Sequence, residues 1–60
     1  MKFEIHKSAS ATQPYYWRIV SSNGNVLAAS ETYVNKADAE SAAQSVIDGA
    51  SGATLVDLTK

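Results

Sequence analysis

The chain has 60 residues, no cysteine, a single histidine and a formal net charge of −1, from five Lys plus Arg against six Asp plus Glu. That length holds one domain, residues 1–60, and a domain this short buries only about 60% of the surface that its unfolded form exposes. Disulfides and thiolate metal sites are excluded, one histidine builds no structural zinc site, and no basic patch draws in phosphate backbones.

Small domains of this size lean on disulfides, a metal or self-association. With the first two removed, oligomerisation or a very economical core remains. No apolar run approaches the ~20 residues that span a bilayer, so no membrane role is expected. The opening MKFEIHK lacks the apolar stretch of a signal peptide, and the missing cysteines suit a reducing, cytoplasmic setting.

KFEIHK alternates with period two, Phe3 and Ile5 on one side and Lys2, Glu4 and His6 on the other, which predicts a strand with one wet face. SASATQP, polar and closed by Pro14, predicts a surface loop. Tyr15 to Ser22 is dense in aromatic and β-branched residues and predicts a second strand. It stops at Asn23-Gly24, a strong hairpin signal because both central residues of a type I′ turn need positive φ. With that turn, Ser22 pairs with Asn25, Val20 with Leu27, Ile19 with Ala28 and Trp17 with Ser30. One face then collects Trp17, Ile19, Val26, Ala28 and Ser30. The other collects Tyr16, Arg18, Val20, Leu27, Ala29, Glu31 and Tyr33, with Arg18 and Glu31 as an exposed pair. A bulge near Ser30 would shift the later pairs.

The third strand is expected to end near Val34. Asn35 then suits a helix N-cap, with Asp38 three residues on to complete a capping box. Ala39, Ala42, Ala43, Val46 and Ile47 form one apolar helical stripe, and Gly49 suits its C-cap. Because most of that stripe is alanine, the helix can approach the sheet closely and leave room for one bulky partner. Trp17 is expected to fill that room, at the centre of the core. ATLVDLT predicts a last short strand, with Val56 and Leu58 on one face and Leu55 on the other. The fold class is therefore α+β: an antiparallel sheet of three strands, one helix and a C-terminal strand (β-β-β-α-β).

The run YWRIVSSNGNVLAASETYVNKADAESAAQSV resembles the YegP-like family, small bacterial domains of unknown function. The resemblance rests on Trp17, Arg18, Asn23, Gly24, Ser30, Glu31, Tyr33, Lys36 and Val46, with Phe3 and Ile5 in the first strand; only SASATQP departs from the pattern. It implies the same order of three strands, a helix and a strand. It also implies tandem repeats or, for a single unit, a homodimer that exchanges C-terminal strands. No activity comes with it.

Chemistry finds little purchase in these residues. His6 has no second histidine, no serine sits in a G-x-S-x-G context, and the carboxylates are dispersed. No enzyme, no cofactor and no metal is expected. Tyr16, Arg18 and Tyr33, on one sheet face, are the candidate binding face, able to stack bases or grip a peptide. Each phosphate contact wants a cation, and this face offers essentially Arg18, so nucleic acid is not the expected partner. Leu55, Val56 and Leu58 are the candidate dimer interface, because one helix can cover only one face of the sheet. The sequence thus describes a non-catalytic structural or interaction module acting as a homodimer, with weak nucleic-acid or ligand binding on the Tyr16 face as the alternative.

Overall fold

A computed structural model describes residues 1–59. Three strands form one antiparallel sheet in the order β1-β2-β3: β1 is Lys2–Lys7, β2 is Tyr15–Val20 and β3 is Val26–Ala29. The helix α1, Lys36–Ala50, follows and lies against β2 and, over a shorter stretch, β1. This is the expected α+β order of three strands and a helix. Segment 53–59 forms no strand here, contrary to the reading of ATLVDLT, and its side chains are exposed. A strand needs a neighbouring strand, and among the described residues this segment pairs with none.

The first hairpin is regular. Register runs from Lys2 opposite Val20 to Lys7 opposite Tyr15, and the Ser8 N–H closes the loop on the Pro14 carbonyl at 2.7 Å. Phe3 and Ile5 therefore share a face with Trp17 and Ile19, and the Phe3 and Trp17 rings meet at 5.6 Å, tilted by 46°.

The second hairpin departs from the expected register in two places, both β-bulges. At the turn, Gly24 N–H bonds to the Ser21 carbonyl at 3.0 Å and Ser21 N–H to the Asn25 carbonyl at 2.9 Å. Only Gly24 takes positive φ, at 89°, so the loop is three residues with a left-handed glycine and not the two-residue type I′ turn. Ser21 Oγ explains the choice, because it bonds to the Asn23 side chain and accepts from Asn25 N–H at 3.2 Å, anchoring the longer loop. Val20 consequently faces Val26 and not Leu27, while Ile19 faces Ala28 as expected; Leu27 is the extra residue between them.

The second irregularity lies at Ser30. Its N–H bonds to the Trp17 carbonyl at 2.9 Å, which keeps the expected neighbours together, while its hydroxyl oxygen accepts Trp17 N–H at 2.9 Å in place of a strand carbonyl. The ladder resumes only at an isolated bridge between Tyr15 and Tyr33, with Tyr33 N–H to the Tyr15 carbonyl at 2.6 Å. Glu31 and Thr32 are the looped-out pair, and Thr32 Oγ1 reaches Gln13 Oε1 at 3.2 Å across the first loop. β3 thus ends at Ala29, earlier than Val34.

Asn35 is the N-cap by backbone conformation (φ −109°, ψ 138°), but its side chain caps no helix N–H. It donates to Asp38 Oδ2 at 3.3 Å, so the two side chains of the expected capping box pair with each other. Gly49 is helical and not the C-cap; Ser51 is, because bonds from Gly52 N–H to Gly49 and from Ala53 N–H to Ala50 tighten the end without a left-handed residue.

The buried hydrophobic residues are Val20, Ala39 and Ala43, with Ala39 wholly inaccessible. Trp17 is half-buried and so not the centre of the core. A ring of that size is rarely fully enclosed, and one short-sided helix is narrow cover for it. The far end of the helical stripe stays open: Val46 is 38% and Ile47 44% exposed.

Gly24→Val isolates the backbone cost of the turn, since a Cβ there meets no atom within 4 Å. The expected loss is about 1–2 kcal/mol, the penalty of a left-handed L-residue. A thermal melt that does not move would contradict the left-handed turn.

Candidate functional site

Tyr16 is the hub of the polar sheet face. β1 sets His6 directly opposite it, and the two rings stack at 5.3 Å with only 19° between their planes. From two residues along β2, the Arg18 guanidinium lies 5.5 Å from the Tyr16 ring centre and donates from Nη2 to Tyr16 Oη at 3.2 Å. Strand geometry brings these groups together, because residues i and i+2, and residues directly opposite across the pair, share a face.

Glu4 closes the cluster from β1. Its Oε1 lies 2.9 Å from His6 Nε2 and its Oε2 3.2 Å from Lys2 Nζ. The His6 hydrogen bond, and after it the Lys2 one, hold the Glu4 carboxyl below its ordinary value of 4.5. His6 is therefore half-buried and partnered, not the free exposed histidine that alternation suggests. Arg18 spends its contact on Tyr16; among the described residues no ion pair joins it to Glu31, which the bulge after Ser30 takes out of register.

Of the candidate binding face, the structure brings Tyr16 and Arg18 together and sets Tyr33 apart. Opposite Tyr15, Tyr33 belongs by alternation to the Trp17 side of the sheet, where Lys7 Nζ also lies 5.7 Å from the Tyr15 ring centre. The member that sequence reasoning missed is His6. The signal was available in the period-two pattern of KFEIHK, but only the first hairpin's register shows that His6 falls on Tyr16.

The arrangement is a flat aromatic and cationic platform. Among the described residues there is no cavity, and no group of three His, Cys, Asp or Glu side chains is placed to hold a metal. Exposed cation–π contacts and surface ion pairs are each worth up to about 1 kcal/mol, so the cluster orders side chains more than it holds the fold.

The Glu4 shift gives a pH test with a defined sign. A carboxyl depressed in the folded state contributes stability that is complete above its unfolded value and is lost as pH falls through its folded value. Followed by side-chain NMR, Glu4 is expected to titrate below 4.5, and to move back toward it in His6→Ala. A wild-type midpoint at or above 4.5 would contradict the cluster.

The candidate dimer interface is the most exposed apolar stretch of the chain: Leu55 is 99%, Leu58 86% and Val56 67% exposed. Between them Asp57 accepts from Thr59 N–H at 2.9 Å and Thr59 Oγ1 at 2.6 Å, and the hydroxyl bond first, then the backbone one, lower its carboxyl below the ordinary range. Among the described residues no helix is long and apolar enough to cross a membrane.

No curated protein and no solved structure matches the chain. One family model does, over residues 10–57, and its description is "Domain of unknown function (DUF1508)". The match takes in β2, β3, the whole of α1 and most of the exposed C-terminal stretch, and with that coverage the chain belongs to this family.

Proposed function

We propose that the domain is a non-catalytic structural or protein-interaction module that acts as a homodimer. In that dimer, residues 53–59 of each copy complete the sheet of the other, giving the β-β-β-α-β arrangement of a single YegP-like unit. The exposure of Leu55, Val56 and Leu58, on a segment that pairs with no strand among the described residues, carries the reading. Val46, Ile47, Val26 and Leu27 add to it, being 38–58% exposed in a chain whose buried residues include two alanines. Single exposed apolar residues are ordinary, but this many in so small a domain support a contact surface.

Light scattering tests it. The expected mass at micromolar concentration is that of two chains, and a stable monomer overturns the proposal.

A second reading, weak binding of a ligand or single-stranded nucleic acid, is favoured by the His6–Tyr16–Arg18 stack. Bases stack on such platforms whatever their sequence. An NMR titration with short oligonucleotides separates it from the first: shifts confined to His6, Tyr16 and Arg18 support binding, and a silent spectrum leaves the interaction module alone.

A further inference from the structure

Asn23 is the one asparagine that precedes a glycine; Asn25 precedes Val26 and Asn35 precedes Lys36. Glycine has no Cβ to hinder its own backbone nitrogen, so that nitrogen can approach the carboxamide of the residue before it. Residues 22–25 are exposed, and a Cβ placed on Gly24 would meet nothing within 4 Å. Water and room for chemistry are therefore both present at this turn. Asp48-Gly49 has the same local spacing, but Gly49 lies inside α1, where the helix ladder holds the backbone.

The closed turn restrains both groups that would react, and Ser21 makes both restraints. Its carbonyl accepts Gly24 N–H at 3.0 Å. Its hydroxyl donates to Asn23 Oδ1 and accepts Asn25 N–H at 3.2 Å, and Asn25 N–H lies 3.5 Å from the same Oδ1. While it donates to the Ser21 carbonyl, the Gly24 nitrogen keeps its proton and is no nucleophile. While Oδ1 is held, Asn23 Cγ cannot swing over that nitrogen.

We propose that Asn23 is a latent modification site, deamidated when the turn opens, and that Ser21 is the residue that keeps the turn shut. Gly24 N gives up its proton and attacks Asn23 Cγ. The new N–Cγ bond closes a five-membered imide as the Cγ–Nδ2 bond breaks, and Nδ2 leaves as ammonia with a proton in place of the one given up. Water then opens the ring. Addition at Cγ restores the original backbone with an aspartate side chain at position 23. Addition at the former backbone carbonyl leaves isoaspartate, whose chain runs through the side-chain carbon. Water enters and ammonia leaves, so the step needs no oxidant or reductant.

The two products differ in what they do to the fold. Aspartate keeps an acceptor for Ser21 Oγ. Isoaspartate lengthens the backbone of a loop whose length sets Val20 opposite Val26. Loop length fixes hairpin register, so only the second product disturbs the sheet.

The test is mass spectrometry with peptide mapping of the full chain in mildly alkaline buffer, with the same chain in guanidinium chloride as the open reference. Conversion confined to Asn23, with isoaspartate among the products, is expected. In the folded chain it should run about tenfold slower than in denaturant, the scale of opening one or two hydrogen bonds. Ser21→Ala removes the hydroxyl restraint and keeps the carbonyl one, and should raise the folded rate about fivefold. Ile19→Val lowers stability away from the turn and should leave the rate unchanged. Equal rates in buffer and denaturant, or conversion at Asn25 or Asn35 in place of Asn23, overturn the proposal. An unchanged or slower rate in Ser21→Ala overturns the role of Ser21. An equal rise in Ile19→Val overturns it too, because global unfolding would then be what exposes the site.

Discussion

Deleting residues 53–60 is expected to abolish folding and association together. In the single chain the deletion should cost almost nothing, because Leu55, Val56 and Leu58 are 99%, 67% and 86% exposed and touch little. In the exchanged dimer the same three side chains become buried, each worth about 1.5–3 kcal/mol. A domain of this size has only about 3–9 kcal/mol of stability in all, at 0.05–0.15 kcal/mol per residue. The loss is then of the same size as the whole stability. Circular dichroism of the truncated chain decides between the two: loss of the helical signal and of the cooperative melt is expected, and a truncated chain that melts like the full one contradicts the dimer.

Trp17→Ala is the second large effect, at about 3 kcal/mol, the low end for emptying an aromatic site because the ring is half-buried. For a domain this small that moves the melting temperature down by more than about 10 °C. Trp17→Phe is expected to behave differently. The indole Nε1 is enclosed and has no hydrogen-bond partner among the described residues. Leaving a buried donor unpaired costs about 1–3 kcal/mol, so removing it offsets most of the area lost with the larger ring. Trp17→Phe should therefore stay within about 1 kcal/mol of wild type. Equal losses in the two variants would mean that Nε1 finds an acceptor; a Trp17→Ala melt close to wild type would make the ring peripheral.

Period-two alternation by itself determines β1, because Lys2 to Lys7 makes no departure from it and the whole first hairpin follows in register. The start of the helix is equally local: Asn35 adopts extended backbone and the run of helix formers begins beside it. The position of the second turn is also fixed by Asn23-Gly24, since only glycine takes the left-handed conformation without cost.

Register beyond that turn is not local. Ser21 Oγ reaches Asn23 and Asn25 and lengthens the loop by one residue; Leu27 then restores the pairing, and Ser30 Oγ takes a backbone N–H that a strand carbonyl would have held. Each bulge changes face assignment by one residue, and period-two alternation turns one residue into the opposite side of the sheet. That is why Tyr33 leaves Tyr16 for Tyr15, and why Arg18 turns to Tyr16 and not Glu31. His6 entered the cluster without any bulge, through the regular pairing across the first hairpin that sets it opposite Tyr16. Composition and periodicity determined the first three strands, the helix and their order, while hydrogen bonds of the Ser21 and Ser30 side chains in the folded second hairpin decided which residues share a face.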